Sequence, residues 1–171
     1  GTLGARYGVG AAVAVNSINT GDDATGTRVR FEDGTIAADR DIVLSAVTDA
    51  RIHSLAGVFG LNDSVTANGS VATNTIDHPT TVEVSGGTLE TDANVNVNAE
   101  DNSTIRTLSG SLALSLKTAL GAGVSVNEIT SDVLASIARN SRLYAGGSVR
   151  IFGARAAAID AIAASGSGGI G

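Results

Sequence analysis

Apolar residues alternate with variable residues in a segment that occurs three times along the chain. Residues 41–57 read DIVLSAVTDARIHSLAG, and the pattern returns at 94–110 and 148–164. Alternate positions are small or aliphatic in every copy, whereas the positions between them share no chemistry. Period-two alternation indicates strands with one face buried and one face in water. The starts at 41, 94 and 148 lie 53 and 54 residues apart, which is typical of a repeat array.

The equivalent apolar positions predict the core of this array. Their side chains are aliphatic in all three copies, so we expect them to stack on one another in successive repeats. The predicted core columns are Ile42, Val95 and Val149, then Leu44, Val97 and Ile151, then Ile52, Ile105 and Ile159.

Short β-rich runs separated by turn residues fill each repeat, about five of them per cycle. This predicts an all-β parallel β-helix, or β-solenoid, in which successive coils stack edge to edge. We expect residues 1–171 to form one continuous solenoid segment cut from a longer array. Two coils of about 26 residues per repeat, or three of about 18, would make a rod roughly 30 to 45 Å long at about 4.8 Å per coil. An antiparallel β-sandwich is the alternative fold.

Composition favours a narrow interior of uniform width. The chain has 22 Gly, one Pro, 3% aromatic residues and no Cys, Met or Trp, so small and aliphatic side chains must fill the core. The net charge is −6, and the single lysine and scattered arginines form no basic stripe, which argues against a nucleic-acid partner. The apolar run at 156–164 is too short to span a bilayer.

Three asparagines recur at equivalent positions and are the strongest candidate ladder. Asn16, Asn74 and Asn127 would stack along the solenoid axis, where each amide could bond to the next. A row of ligand-contacting amides is the alternative reading. The spacing from Asn16 to Asn74 is longer by about five residues, and we place this insertion in the Gly/Asp/Thr-rich stretch 20–27, read as a surface loop.

Candidate catalytic and metal-binding side chains are few. Asp22 and Asp23, with Glu32 and Asp33 nearby, could supply oxygen ligands to a structural calcium ion, but their spacing matches no calcium-binding motif, and solvated turn carboxylates are the preferred reading. No other cofactor is expected. The remaining candidates are surface residues: the two histidines, which are read as exposed side chains, and three aromatic residues read as exposed contacts. They are His53 and His78, and Phe31, Phe59 and Tyr144.

The segments GVGAAVAVNSI and GAGVSVNEIT, together with the trailing pattern of a short strand, Gly-Gly or Asp, and then Val-x-Val or Val-x-Ile, resemble the repeats of large exported bacterial adhesins. The resemblance is to the filamentous haemagglutinin and leukotoxin-like filamentous adhesin type. It implies a right-handed parallel β-helix in an extracellular or cell-surface fibre that mediates attachment or aggregation.

Two functions are consistent with these observations. The first is a non-catalytic stalk segment whose partners are neighbouring repeats or identical chains in a filament, and a glycan or protein on a host or neighbouring cell. The second is a carbohydrate-active β-helix enzyme or glycan-binding domain, which would need two or three carboxylates converging in a groove.

Overall fold

The computed structural model describes residues 6–19, 26–138 and 140–169, which contain fifteen β-strands and no helix. The first five strands are β1 (Tyr7–Asn19), β2 (Thr27–Glu32), β3 (Thr35–Ala38), β4 (Ile42–Thr48) and β5 (Arg51–Asn62). The next five are β6 (Val65–Asp77), β7 (Thr80–Ser85), β8 (Thr88–Thr91), β9 (Val95–Asp101) and β10 (Thr104–Ser115). The last five are β11 (Thr118–Thr130), β12 (Val133–Ile137), β13 (Arg142–Ala145), β14 (Val149–Arg155) and β15 (Ala158–Gly169).

Each strand pairs in parallel with the strand five places further along the chain. The result is five three-stranded parallel sheets, such as β1-β6-β11 and β4-β9-β14. Parallel pairing at a constant sequence offset is the topology of a solenoid, because each circuit of the chain lies on the edge of the previous one. The predicted parallel β-solenoid is confirmed, and the antiparallel sandwich is excluded.

The number of coils per repeat was predicted wrongly. Ile42 pairs directly with Val95, and Val95 with Val149, so one whole repeat makes a single coil of five strands. Three repeats therefore rise only about 14 Å at about 4.8 Å per coil, instead of 30 to 45 Å. The error arose because 12- and 13-residue strands take up the length that we had assigned to extra coils.

The predicted core columns lie in register, and their burial depends on the coil. Ile42 is 5% exposed, Val95 is fully buried, and Val149 is 45% exposed. The same order holds for Ile52, which is 5% exposed, and Ile159, which is 47% exposed. Within the described residues, the middle coil is covered on both edges and each outer coil on one edge only. Stacking on one edge covers Ile42 but leaves Val149 half-exposed. Stacking on both edges buries the core columns fully.

The three short sheets, formed by β2 to β4 and their equivalents, enclose the hydrophobic core, and we call this region the core section. Its buried centre comprises Ile42, Ala46, Val82, Val84, Leu89, Val95, Val97 and Ala99. Leu44 packs against this cluster, and so does Phe31. The interpretation of Phe31 as an exposed contact was therefore wrong, while Phe59 and Tyr144 are 43% and 57% exposed.

The two long sheets, β1-β6-β11 and β5-β10-β15, face each other and form a second region, which we call the arm. Two-residue turns at Asp63-Ser64 and Leu116-Lys117 join the sheets at its tip. The interior is filled by small side chains, among them Ser70, Ala72, Ser109 and Ala113. A Cβ on Gly123 would lie 3.4 Å from Cα of Gly110. The two sheets therefore approach each other closely at this level, whereas Val58 and Asn68 fill the interior beside Gly10.

Corresponding turns repeat the same backbone conformation. Asp33, Gly86 and Asn140 follow the second strand of their coils and have φ values of 46°, 68° and 65°. Gly, Asn and Asp are the residues that adopt this left-handed conformation most readily. The five extra residues of the first repeat lie between Asn19 and Thr27, because these positions pair with Asp77 and Thr80. Most of that stretch, residues 20–25, lies outside the described part of the chain.

Candidate functional site: the asparagine ladder and the outer faces of the arm

The structure brings the three equivalent asparagines together inside the arm. Nδ2 of Asn16 donates to Oδ1 of Asn74 over 2.8 Å, and Nδ2 of Asn74 donates to Oδ1 of Asn127 over 2.7 Å. All three amides therefore point the same way along the solenoid axis. Asn74 is fully buried, so the ladder is an internal feature and offers no row of amides to a ligand.

Hydroxyl groups on the facing sheet complete the ladder. Thr107 Oγ1 accepts from Asn74 over 2.8 Å and donates to Asn127 Oδ1 over 2.7 Å, and Ser54 Oγ accepts from Asn16 over 3.2 Å. These bonds join the two sheets of the arm as well as the three coils. A buried amide whose donors and acceptors are paired offsets its desolvation, which supports a structural role.

An isoleucine cluster separates the ladder from the core section. Its buried members are Ile52, Ile76 and Ile105, with Ile18 and Ile129 packed against them. We call this position the neck of the arm. The predicted column Ile52, Ile105 and Ile159 is thus part of the boundary between the aliphatic core and the polar interior of the arm.

The two histidines lie in different environments. His53 is exposed on the outer surface of the arm, as predicted. His78 is half-buried, and its Nε2 accepts from the backbone N of Thr27 over 3.1 Å. Thr27 Oγ1 also bonds to His78 Nε2 and to Thr48, and Thr48 bonds to Thr80, so a row of hydroxyl groups extends from this ring nitrogen. The interpretation of His78 as an exposed surface residue was wrong, because it joins two coils at the corner before β7.

Carboxylates of the described residues do not converge on a metal site. Among residues 6–19, 26–138 and 140–169, no group of three or more His, Asp or Glu side chains could hold an ion. Glu32 forms an ion pair with Arg30, and the backbone N of Asp33 donates to the carbonyl of Ser85. The proposed calcium ligands Asp22 and Asp23 lie outside the described residues.

The outer faces of the arm carry a feature that the sequence analysis missed. We call the outer surface of β5-β10-β15 face A and that of β1-β6-β11 face B. Large apolar side chains are exposed on both faces. On face A they are Leu55, Phe59, Leu61, Leu108, Leu112 and Ile162. On face B they are Val9, Val13, Val15, Val71, Leu120, Val124 and Val126.

The arm therefore reverses the usual arrangement, with small polar side chains inside and aliphatic side chains outside. The signal was present in the sequence, since Leu55, Leu108 and Ile162 are equivalent outward positions. The neighbouring outward column of His53, Arg106 and Asp160 shares no chemistry, and it hides this signal. Contiguous apolar patches on a protein surface commonly mark interaction sites.

Among the described residues, no helix has the length and hydrophobicity needed to cross a membrane. No protein-family model, curated protein or solved structure matches this chain.

Proposed function

We propose that this chain is a structural stalk segment of an extracellular bacterial filament or adhesin that serves surface attachment or cell–cell adhesion. The observation that supports this role is the repeated core beneath a variable outer surface in the core section. Val95 and Val97 have aliphatic neighbours in both adjacent coils, whereas the outward Asn96 lies between Val43 and Arg150. Nearest-neighbour stacking gives a repeat protein its length, and it leaves the outer surface free to vary.

The partners in this proposal are further coils of the same register, from neighbouring repeats or from identical chains. The strands of the third coil have 13, 5, 4, 7 and 12 residues. Together they exceed the 20–30 residues per side that are usual in a stable interface. Another coil placed on this edge would cover Val149 and Ile151, which are 45% and 50% exposed.

One coil per repeat gives the proposed filament an unusual shape. A repeat of more than fifty residues rises only about 4.8 Å, so the filament would be short for its chain length and broad in cross-section. From 16.9 kDa over three coils, its mass per length would be roughly 1.2 kDa per Å at that rise. Such a stalk is suited to stiffness and to presenting a wide lateral surface.

Electron microscopy of the native assembly tests the stalk. We expect a continuous rod with an axial repeat near 4.8 Å and a scanning-transmission mass per length close to the value above. Compact particles, or strands that run along the long axis, would reject the filament role. About half that mass per length would mean two coils per repeat.

Adhesion needs a separate assay, because a rod could be purely structural. Beads coated with the 171-residue chain should attach to cells or to one another more than albumin-coated beads do. Rods without any such attachment would retain the stalk and remove the adhesive role.

A further inference from the structure

The outer faces of the arm are uncharged over most of their length. Between the neck and the tip turns, no charged residue occurs in β5 after His53, in β6 before Asp77, in β10 after Arg106, or in β11 before Glu128. Leu55 and Ile162 on face A, and Val13 and Leu120 on face B, are each at least 63% exposed. The aliphatic surface therefore lies on both sides of one thin, two-sheet layer.

We infer that these faces bind a second copy of this chain, with face A of one copy packed on face B of the next. Three observations select this occupant: the relief of the two faces, the charges at the neck and the area available. The inference concerns the folded chain in solution and goes beyond the proposed filament role.

Each face has a groove between columns of larger side chains, so the two faces have complementary shapes. On face A the small column Gly57, Gly110 and Ala164 lies between the column Leu55, Leu108 and Ile162 and the column Phe59, Leu112 and Gly166. On face B the small column Ala11, Gly69 and Ala122 lies between the column Val13, Val71 and Val124 and the column Val9, Ala67 and Leu120. Small columns between larger ones form grooves that can accept the side chains of a facing sheet.

The two sheets of the arm are offset along the strand direction, which allows face A of one copy to interlock with face B of another. Asn68 Nδ2 donates to the carbonyl of Leu112 over 2.6 Å, and Thr66 Oγ1 donates to the carbonyl of Leu114 over 2.8 Å. Inward residues of one sheet thus lie level with outward residues of the other. Outward rows on the two faces are offset by one residue, about 3.3 Å. Copies standing at equal height would therefore place the rows of face A between the rows of face B, as in interdigitated sheets.

Charges at the neck favour face A on face B over a face packed on itself. Face B carries Asp77 and Glu128, whereas face A carries Arg51, Arg106 and Asp160, so the two faces have opposite net charge at the neck. Arg106 lies 3.4 Å from Asp160, and both side chains are more than 60% exposed. With the faces offset as above, Arg106 would lie beside the row of Thr75 and Glu128. Face B packed on face B would instead bring carboxylates together.

The area of each face indicates an open array in place of a closed dimer. Eight residues by three strands cover about 26 by 14 Å, or roughly 370 Å², which is less than half of the approximately 800 Å² per partner of a standard interface. Each contact between two arms is therefore weak on its own, and association builds up only over several copies. Because the two faces differ, the contact is heterologous and can continue from copy to copy.

Sedimentation velocity over a concentration series tests the surface. The wild-type chain should show a weight-average sedimentation coefficient that rises with concentration. Leu108→Arg, on face A in the middle coil, should lower the apparent association constant at least fivefold. Asn98→Arg is the matched control, since it adds the same charge to the outer surface of the core section in the same coil.

Association through the coil edges would be equal in these two variants, so their difference reports the arm. Equal association of Leu108→Arg and Asn98→Arg, with both variants folded by circular dichroism, would overturn the inference. Co-flotation of the wild-type chain with phosphatidylcholine vesicles, lost in Leu108→Arg, would also overturn it and assign the faces to lipid.

Cysteine cross-linking tests the pairing of the faces, because the chain has no cysteine of its own. Leu112→Cys lies on face A, and Ala67→Cys lies on face B close to its height. Mixed under copper–phenanthroline oxidation, they should form a heterodimeric disulfide in at least fivefold excess over Leu112→Cys mixed with Asn98→Cys. Homodimers of Leu112→Cys in equal yield would overturn the face A on face B arrangement.

Discussion

Single polar side chains in the arm differ sharply in how well they are paired. Asn74 is fully buried and bonds to Asn16, Thr107 and Asn127. Ser109 is also fully buried, but its Oγ forms no hydrogen bond with another described residue. An unpaired buried hydroxyl lowers the free energy of unfolding, whereas the hydrogen bonds of a paired amide offset its desolvation. Residues of similar polarity in one interior should therefore have opposite effects on stability.

Asn74→Ala should lower the free energy of unfolding by about 1–3 kcal/mol, because it removes the three hydrogen bonds that join the buried Asn74 amide to Asn16, Thr107 and Asn127. Urea unfolding monitored by circular dichroism measures this loss. Asn96→Ala, an outward asparagine in the same coil, is the control and should change stability by no more than about 0.5 kcal/mol. Similar losses in both variants would contradict a special role for the ladder.

Ser109→Ala should raise the free energy of unfolding, by about 1 kcal/mol, because it removes the unpaired hydroxyl. The space suits alanine, since the column neighbours of Ser109 are Ala56 and Ala163. The same urea experiment applies. A loss of stability would show instead that the Ser109 hydroxyl forms a stabilising contact.

At the scale of elements, the core section and the arm follow different packing rules. Leu89 and Val95 fill an aliphatic core of ordinary side-chain size, whereas Ala113 and Ser70 lie between strands that leave no room for such residues. Dense interiors do not absorb added volume without strain. The size of the side chains in each inward column therefore depends on how far apart the facing sheets are.

Ala113→Leu should destabilise the chain by about 1–3 kcal/mol or more, because the added side chain has no space between the sheets of the arm. Ala122→Leu makes the same change at an exposed position on face B, and it should be tolerated. Thermal unfolding compares the two variants. Equal tolerance at both positions would mean that the arm can open to a wider spacing.

At the scale of the whole molecule, stability should differ between coils. The strands β6 to β10 have neighbours on both edges, whereas β1 to β5 and β11 to β15 have a neighbouring strand on one edge only within the described residues. Hydrogen bonds and burial are therefore concentrated in the middle coil, where Val82, Val97 and Ile105 are fully inaccessible.

Amide hydrogen exchange of the 171-residue chain should be slowest in β6 to β10, because opening these strands breaks pairing on both sides. Mass spectrometry of peptides from the three coils measures the rates. A uniform rate would indicate that the coils open only in one cooperative step. Slowest exchange in β1 to β5 or in β11 to β15 would contradict the stacking order.

The sequence by itself determined which strands are equivalent, and it predicted their parallel stacking and register. Equivalent apolar residues such as Ile42, Val95 and Val149 recur at near-constant spacing, and only in-register stacking buries them together. The same spacing set Asn16, Asn74 and Asn127 in one column. Period-two alternation says which residues share a face of a strand, and a repeat says which strands are equivalent. Alternation and repeat spacing depend only on positions along the chain, so they hold whatever path the chain follows within one coil.

Only the tertiary structure decided how many strands close one coil and which faces meet. Alternation does not fix the angle at each corner, so it could not distinguish one long coil from two or three short ones. It also could not show that β5 folds back against β6, which makes Ser54 an interior residue and leaves Leu55 outside. Beyond the neck, the inward positions of the described strands of the arm hold Ser, Ala, Gly, Thr or Asn, with Val58 as the one larger aliphatic side chain. The close approach of the two sheets therefore sends most of the larger aliphatic residues to the surface.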